Sequence, residues 1–339
     1  MTGSNRGWIL VERPVGDNFE DILKFREIPM PEPGPGEVLV RVQYLSLDPA
    51  NRGWMAGPTY MPEIPLNSPM WGGVLGRVER SNTPDLSPGD LVGGMGSWTD
   101  YCVLPGDRVR KIPDLQGMPL TAFQSVFGGS GPTAYFGLLE VGKPKPGETL
   151  VVSGAAGAVG SLVGQIGKIK GCRVIGIAGS AKKCAWLTGE LGFDHAIDYR
   201  SENVQERLAA LCPNGVDIYF ENVGGAVGNA VIANLAQRGR VALCGLISQY
   251  NAVGEVRGID LAPVLIKSGT IQGFILLDWL DRLHEATAPL AGWLKEGKLK
   301  YGVDVVDGLE NAVKGFRKLF APGGDHMGKL MIRVDPQAT

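Results

Sequence analysis

The hydrophobic rhythm of the chain changes part-way along. From Glu37 to Ser46, EVLVRVQYLS alternates apolar and polar positions, is rich in β-branched residues and follows the turn-forming run PMPEPGPG. That pattern predicts a strand after a loop. Short β-like pieces recur at Gly72 to Glu79, Asp90 to Val92 and Tyr101 to Val103, divided by Pro-Gly, Gly-Asp and Gly-Gly pairs. Residues 1–125 are therefore expected to be mostly β, with the short-strand spacing of small barrels and sandwiches.

After Gly131 strand-like runs alternate with helical periods. Leu150 to Ser153 is a short apolar strand, and Leu162, Val163, Ile166 and Ile169 then fall on one helix face. Strands are expected at Arg173 to Ile177, His195 to Tyr199, Val216 to Phe220, Arg240 to Leu246 and Thr270 to Leu277, with helices at Ala181 to Leu191 and Val227 to Ala236 among them. Strict alternation predicts an α/β fold with a doubly wound parallel sheet. A helix at Ala288 to Glu296, the segment Gly308 to Phe320 and a strand-like run, Lys329 to Val334, close the chain. On pattern alone that last run could join either region.

Composition narrows the function classes. The 339 residues carry 33 Lys and Arg against 35 Asp and Glu, so there is no basic stripe for phosphate backbones and no nucleic-acid partner is expected. No apolar run reaches the roughly 18 residues of a spanning helix, and the start lacks a leader pattern, so a soluble chain without a membrane role is expected. Glycine is abundant, 50 residues, which implies many tight turns or close backbone approaches.

One glycine run has chemistry in it. LVVSGAAGAVG, Leu150 to Gly160, leads from an apolar strand through Gly154, Gly157 and Gly160 into an amphipathic helix. Small residues there let the backbone approach a pyrophosphate, whose charge faces the N–H groups and positive dipole end of the helix. A merely tight strand-to-helix turn is the alternative, but the strand before and the helix after are the context that nucleotide binding demands. The end of the next strand, Ile177 to Lys183, reads IAGSAKK and has no acid to accept from a ribose 2′-hydroxyl. A hydroxyl and two ammonium groups suit a 2′-phosphate, so NADP(H) is the expected cofactor. Lys182 and Lys183 could instead be a solvated helix start, a place the helix dipole does not favour for lysine.

Five cysteines (Cys102, Cys172, Cys184, Cys212, Cys244) are scattered without a CxxC pair. Reduced, packed thiols in a cytoplasmic protein are expected. Zinc would need about four Cys for a structural site or three Cys, His or acid ligands for a catalytic one. Cys102 is the only cysteine before Gly131, and His195, His284 and His326 all come later. No metal site is expected.

Several runs carry a family resemblance: SLDPANRGWM (Ser46 to Met55), GPTAYFGLLEVG (Gly131 to Gly142), SGAAGAVGSLVGQIGKIKGC (Ser153 to Cys172), FENVGG (Phe220 to Gly225), ALCGLISQYN (Ala242 to Asn251) and QGF (Gln272 to Phe274). Together they resemble the zinc-independent medium-chain dehydrogenase/reductases. The match is closest to the leukotriene B4 12-hydroxydehydrogenase/prostaglandin reductase branch, with plant alkenal double-bond reductases and bacterial curcumin reductase. The resemblance implies a GroES-like partial β-barrel from residues 1–125, completed by 300–339, clasping a Rossmann NADP-binding domain at 126–299 with the active site in the cleft. It implies a cytosolic homodimer that reduces the C=C bond of α,β-unsaturated aldehydes and ketones with NADPH. By motif, Gly157, Ala158 and Val159 would lie at the pyrophosphate, and Ser180, Lys183 and Tyr199 at the 2′-phosphate. Asn222, Cys244, Ser248, Phe274, Leu276 and His326 would lie along the cofactor, His326 standing where the family commonly has Asn. Tyr250 would take the place of the tyrosine near the nicotinamide ribose and the substrate carbonyl.

An enone needs no Lewis acid if hydride goes to the β-carbon and a donor meets the developing enolate oxygen. Tyr250 is the candidate donor, with protonation of the α-carbon from Tyr250 or water; on pattern alone it could simply anchor a loop. Trp54, Met55, Tyr60, Met61, Met70 and Trp71 could wall an apolar pocket for a small enone or enal, or be core. Tyr60 is a second candidate for a polar contact. A quinone reductase, a secondary-alcohol dehydrogenase and a non-catalytic NADPH-binding protein are the rival functions.

Overall fold

The computed structural model describes residues 4–112, 118–256, 258–321 and 324–338. The chain forms two compact units, one made of 125–302 with 321–328 and the other of 1–124 with 303–320 and 329–339.

The first of these units holds an α/β fold. Its six-stranded sheet runs, in spatial order, His195–Asp198, Arg173–Ala178, Thr149–Ser153, Val216–Glu221, Leu235–Leu243 and Thr270–Gly273. All five pairings are parallel. Such strands are covered on both faces, which is why they read as continuous apolar runs such as LVV and VIGIA. Two strands step outward from Thr149–Ser153 in one direction and three in the other, so the winding reverses between Thr149–Ser153 and Val216–Glu221. Ligands of open α/β sheets sit beyond the carboxyl ends of the strands at such a reversal. The helix Ala158–Ile169 packs tightly on the sheet through glycines. A Cβ on Gly164 would stand 1.9 Å from the Phe193 ring, and one on Gly167 2.5 Å from Leu150 Cδ2.

Several boundaries differ from the sequence pattern, among them the strand expected at Thr270 to Leu277, which ends at Gly273, and the helix expected at Ala181 to Leu191, which ends at Gly189. The strand expected from Arg240 begins at Leu235 and ends at Leu243, because its polar middle carries a register shift and Arg238 takes a φ of 61°. The preceding helix accordingly stops at Ala233. The helix expected from Ala288 begins at Leu283 and holds Pro289 inside it, although proline more often marks a first helical turn.

In the other unit, the path of its larger sheet runs Val303–Asp307, Lys329–Arg333, Glu37–Ser46, Trp71–Ser81, Leu91–Ser97 and Arg110–Lys111, with Tyr101–Pro105 also on Glu37–Ser46. Lys329–Arg333 lies antiparallel to Glu37–Ser46, which settles its place. A three-stranded sheet joins Leu23–Ile28, Asn5–Leu10 and Ser68–Pro69. Phe19, Trp98 and Phe316 are fully buried, with ring centroids 4.9 Å (Phe19 to Phe316) and 5.6 Å (Trp98 to Phe316) apart. Trp54, Met55 and Met70 belong to this core, and Met61 and Trp71 pack against it. Among the described residues, no helix is long and apolar enough to cross a membrane.

Candidate functional site

The glycine turn sits at the carboxyl end of Thr149–Ser153, beside the reversal of winding. Gly154 takes a φ of 57°, and a Cβ on Gly160 would stand 2.4 Å from the Gly154 carbonyl oxygen. Gly160 therefore lets the helix close onto the turn. The Gly157 N–H donates to Gly154 at 3.0 Å, and Gly157 opens the helix with extended backbone and no side-chain cap. The N–H groups of Ala158, Val159 and Gly160 donate to no described residue. Unspent donors at the positive end of a 12-residue helix form a cradle that fits a pyrophosphate.

The end of the neighbouring strand gathers Ser180, Lys183 and Tyr199. The Ser180 hydroxyl accepts the Lys183 N–H at 3.3 Å and caps the next helix. The Tyr199 N–H donates to Ala178 at 3.1 Å, and its ring lies 2.9 Å from where a Cβ on Gly179 would stand. Lys183 is half-buried and Lys182 exposed. Burial lowers the Lys183 pKa, and the charge of Asp325 partly restores it. A hydroxyl, a partly desolvated cation and a phenol in one place, with no acid on the strand end, fit a phosphomonoester.

Across the reversal, Asn222 Nδ2 donates to the Ser153 carbonyl at 2.8 Å. The loop 245–250 is stitched to the turn after Asn222: Ile247 N–H to Asn222 O at 3.2 Å, Ser248 N–H to Val223 O at 3.0 Å, and Ser248 Oγ to the same oxygen at 2.6 Å. Ser248 thus spends its hydroxyl on the loop. The Tyr250 hydroxyl accepts the Leu246 N–H at 3.2 Å, and burial, more than any neighbour, raises its pKa. The Cys244 thiol is pushed up to about 12 by burial and by Glu221, so it is a neutral wall at physiological pH.

Residues 6–112 match a family model described as the N-terminal domain of oxidoreductase, and 158–294 one described as zinc-binding dehydrogenase. The NADPH-dependent curcumin reductase of Escherichia coli (strain K12) is 44% identical over 337 residues, 97% of each chain. The chain belongs to the medium-chain dehydrogenase/reductase family. Within that family, the NADP(+)-dependent 2-alkenal reductase of Nicotiana tabacum is 38% identical over 98% of both chains. CurA from Vibrio vulnificus, solved in complex with NADPH, superposes with a TM-score of 0.91 at 42% identity, covering 97% of this chain and 99% of that one.

One family model takes its description from zinc, but the donor set here does not fit that ion. No three His, Cys, Asp or Glu side chains gather as ligands among the described residues. Cys102 is buried, with its thiol pushed up to about 12 by burial.

The remaining residues of this medium-chain dehydrogenase/reductase divide by side-chain direction. Phe274 is buried, its ring 5.9 Å from that of Phe220 and 2.2 Å from where a Cβ on Gly137 would stand. That side chain is core, and only the Phe274 backbone is left for a ligand. Leu276 is half-buried, near Gly129. His326 sits in the segment that docks on the glycine turn, where the Gly328 N–H donates to the Ala156 carbonyl at 2.8 Å. Tyr60 lies in the other unit, 46% exposed, with its ring edge-on to Trp54 at 6.3 Å. Sequence reasoning missed Asp325, Gly328 and Glu221, because each earns its place through a residue far away in the chain.

Proposed function

We propose that this protein reduces the carbon–carbon double bond of small apolar α,β-unsaturated aldehydes and ketones. It is an NADP-dependent oxidoreductase and NADPH is its cofactor. Relatives named for curcumin, 2-alkenal and prostaglandin reduction, 35–44% identical over nearly the whole chain, support this substrate class. The carrying observation is the Tyr250 hydroxyl, which accepts the Leu246 N–H through a lone pair and retains its proton through burial.

When bound, NADPH supplies a hydride from nicotinamide C4 to the β-carbon of the conjugated substrate. The helix N–H groups of Ala158, Val159 and Gly160 take the pyrophosphate, and Ser180, Lys183 and Tyr199 take the 2′-phosphate. Asn222, with the Cys244 thiol and the Phe274 backbone, lines the cofactor's path. Negative charge develops on the substrate oxygen as an enolate, and the Tyr250 hydroxyl donates to it. The α-carbon is protonated by Tyr250 or by water. NADPH consumption with a panel of 2-alkenals, linear and cyclic enones and quinones, with products analysed for a saturated C–C bond, tests this. Turnover of quinones alone would favour a quinone reductase, and binding without turnover a non-catalytic NADPH-binding protein.

We also infer a homodimer. Thr270–Gly273 is the last strand of the parallel sheet and is mostly exposed. The adjacent helix Ala262–Ile266 buries no residue, with Leu265 82% and Ile266 73% exposed. An open strand edge beside apolar side chains is a surface that a second copy would cover. All five cysteines are free thiols, which suits a reducing, cytoplasmic compartment.

A further inference from the structure

Behind the glycine turn, at the reversal of winding, three side chains closed to solvent come together: Ser153, Tyr219 and Glu221. Ser153 and Glu221 are the last residues of the two strands that flank the reversal. The Ser153 hydroxyl donates to Glu221 Oε1 at 2.7 Å and accepts the Asn222 N–H at 2.9 Å. The Val223 N–H donates to the same carboxyl oxygen at 2.7 Å. The Glu221 main-chain carbonyl accepts the N–H groups of Cys244 and Gly245 at 2.9 and 3.1 Å. One residue thus ties together the ends of three neighbouring strands. Its other oxygen, Oε2, is buried without a hydrogen-bond partner, 2.3 Å from where a Cβ on Gly228 would stand. The Tyr219 hydroxyl is 3.8 Å from that same point and forms no hydrogen bond of normal geometry.

Enclosing a carboxyl group without a cation is unfavourable, and apolar side chains would hold three strand ends together without that cost. What Glu221 adds is direction. Because Ser153 Oγ receives the Asn222 N–H, its own proton turns to Glu221, and the Asn222 amide is then held with Nδ2 on the Ser153 carbonyl at 2.8 Å. The Asn222 side-chain oxygen is spent on no described residue. We propose that Glu221 is a positioning residue for cofactor binding, acting through Ser153 and Val223 to fix Asn222 with its amide oxygen available to a hydroxyl or amide donor of NADPH. This rests on the assignment of this strand edge to NADPH.

The test measures NADPH affinity by fluorescence, kcat at saturating NADPH and thermal unfolding for Glu221→Leu, Glu221→Gln, Ser153→Ala and the Leu/Ala double variant. Glu221→Leu is expected to weaken NADPH by up to roughly tenfold, the upper end of what one neutral hydrogen bond contributes, with kcat within about threefold of the parent. Glu221→Gln, which keeps an acceptor for Ser153 and Val223, should recover most of the affinity. Ser153→Ala should match the Leu variant, and the double variant should be no worse than either single one, since they break the same relay. Parent-like NADPH affinity in Ser153→Ala or in a folded Glu221→Leu, or losses that multiply in the double variant, overturns the proposal. Should Glu221→Leu not fold, Ser153→Ala and Glu221→Gln decide it by the same criteria. A parent protein that does not bind NADPH overturns the cofactor assignment instead.

Discussion

The Tyr250 hydroxyl oxygen stands 3.2 Å from the Leu246 backbone nitrogen and accepts its hydrogen. The contact orients the phenol while leaving its proton for another acceptor. Tyr250→Phe is therefore expected to lower kcat by roughly 100-fold, about 3 kcal/mol of lost enolate stabilisation. NADPH affinity should change by less than about twofold, because the ring stays packed. Steady-state kinetics with a linear enone checks both. Unchanged turnover would remove Tyr250 from the donor role.

Burial raises the Tyr250 pKa above its ordinary value of 10.0. The protonated form is the donor, so kcat should hold through neutral pH and fall only when the phenol ionises, above 10.0. A kcat profile that falls below pH 9 would contradict a tyrosine donor in this environment.

Lys183 meets a 2′-phosphate that NADH lacks. Lys183→Ala should raise KM for NADPH by roughly tenfold or more and leave NADH nearly unaffected, the scale of a charge-assisted hydrogen bond. Burial lowers the lysine's pKa, so NADPH affinity should decline at a lower alkaline pH than an exposed lysine would give. Equal preference for the two cofactors in the parent enzyme would refute the assignment of Ser180 and Lys183.

The Cys102 and Cys244 thiols are pushed up from 9.0 to about 12 in the folded chain, chiefly by burial. In the unfolded chain they ionise nearer 9.0, so the unfolded state sheds protons first as pH rises. Stability should be unaffected below pH 9 and decline between about 9 and 12. Urea midpoints across that range, with Cys102→Ala as a control of smaller slope, test the sign.

Leu265, exposed beside the strand edge Thr270–Gly273, gives a surface test. Leu265→Glu should convert a dimer to monomer in sedimentation equilibrium with little change in monomer stability, since an exposed substitution usually costs within about 0.5 kcal/mol. A parent protein that is monomeric at all concentrations would contradict the homodimer.

Much of the parallel sheet is legible in the sequence because strands buried on both faces must be apolar throughout, as in Leu150 to Ser153 and Arg173 to Ile177. Leu235–Leu243 is not, because its bulge places Gln237, Arg238 and Gly239 inside the strand. Asn5–Leu10 and Leu23–Ile28 are short and mixed in character, and only their pairing across an intervening helix makes them strands. At the site, the glycine turn announces itself through local spacing. The role of Glu221 does not, because its partner Ser153 is 68 positions away. Phe274 shows the complementary limit: its position along the chain is readable, but the direction of its ring into the core beside Gly137 is set by tertiary packing.

The reduced bond itself can be read directly. With NADPH carrying deuterium at C4 and a linear enone as substrate, mass spectrometry and NMR should find a saturated ketone with deuterium on the β-carbon. An allylic alcohol with deuterium on the former carbonyl carbon would contradict conjugate reduction, whatever the turnover rate.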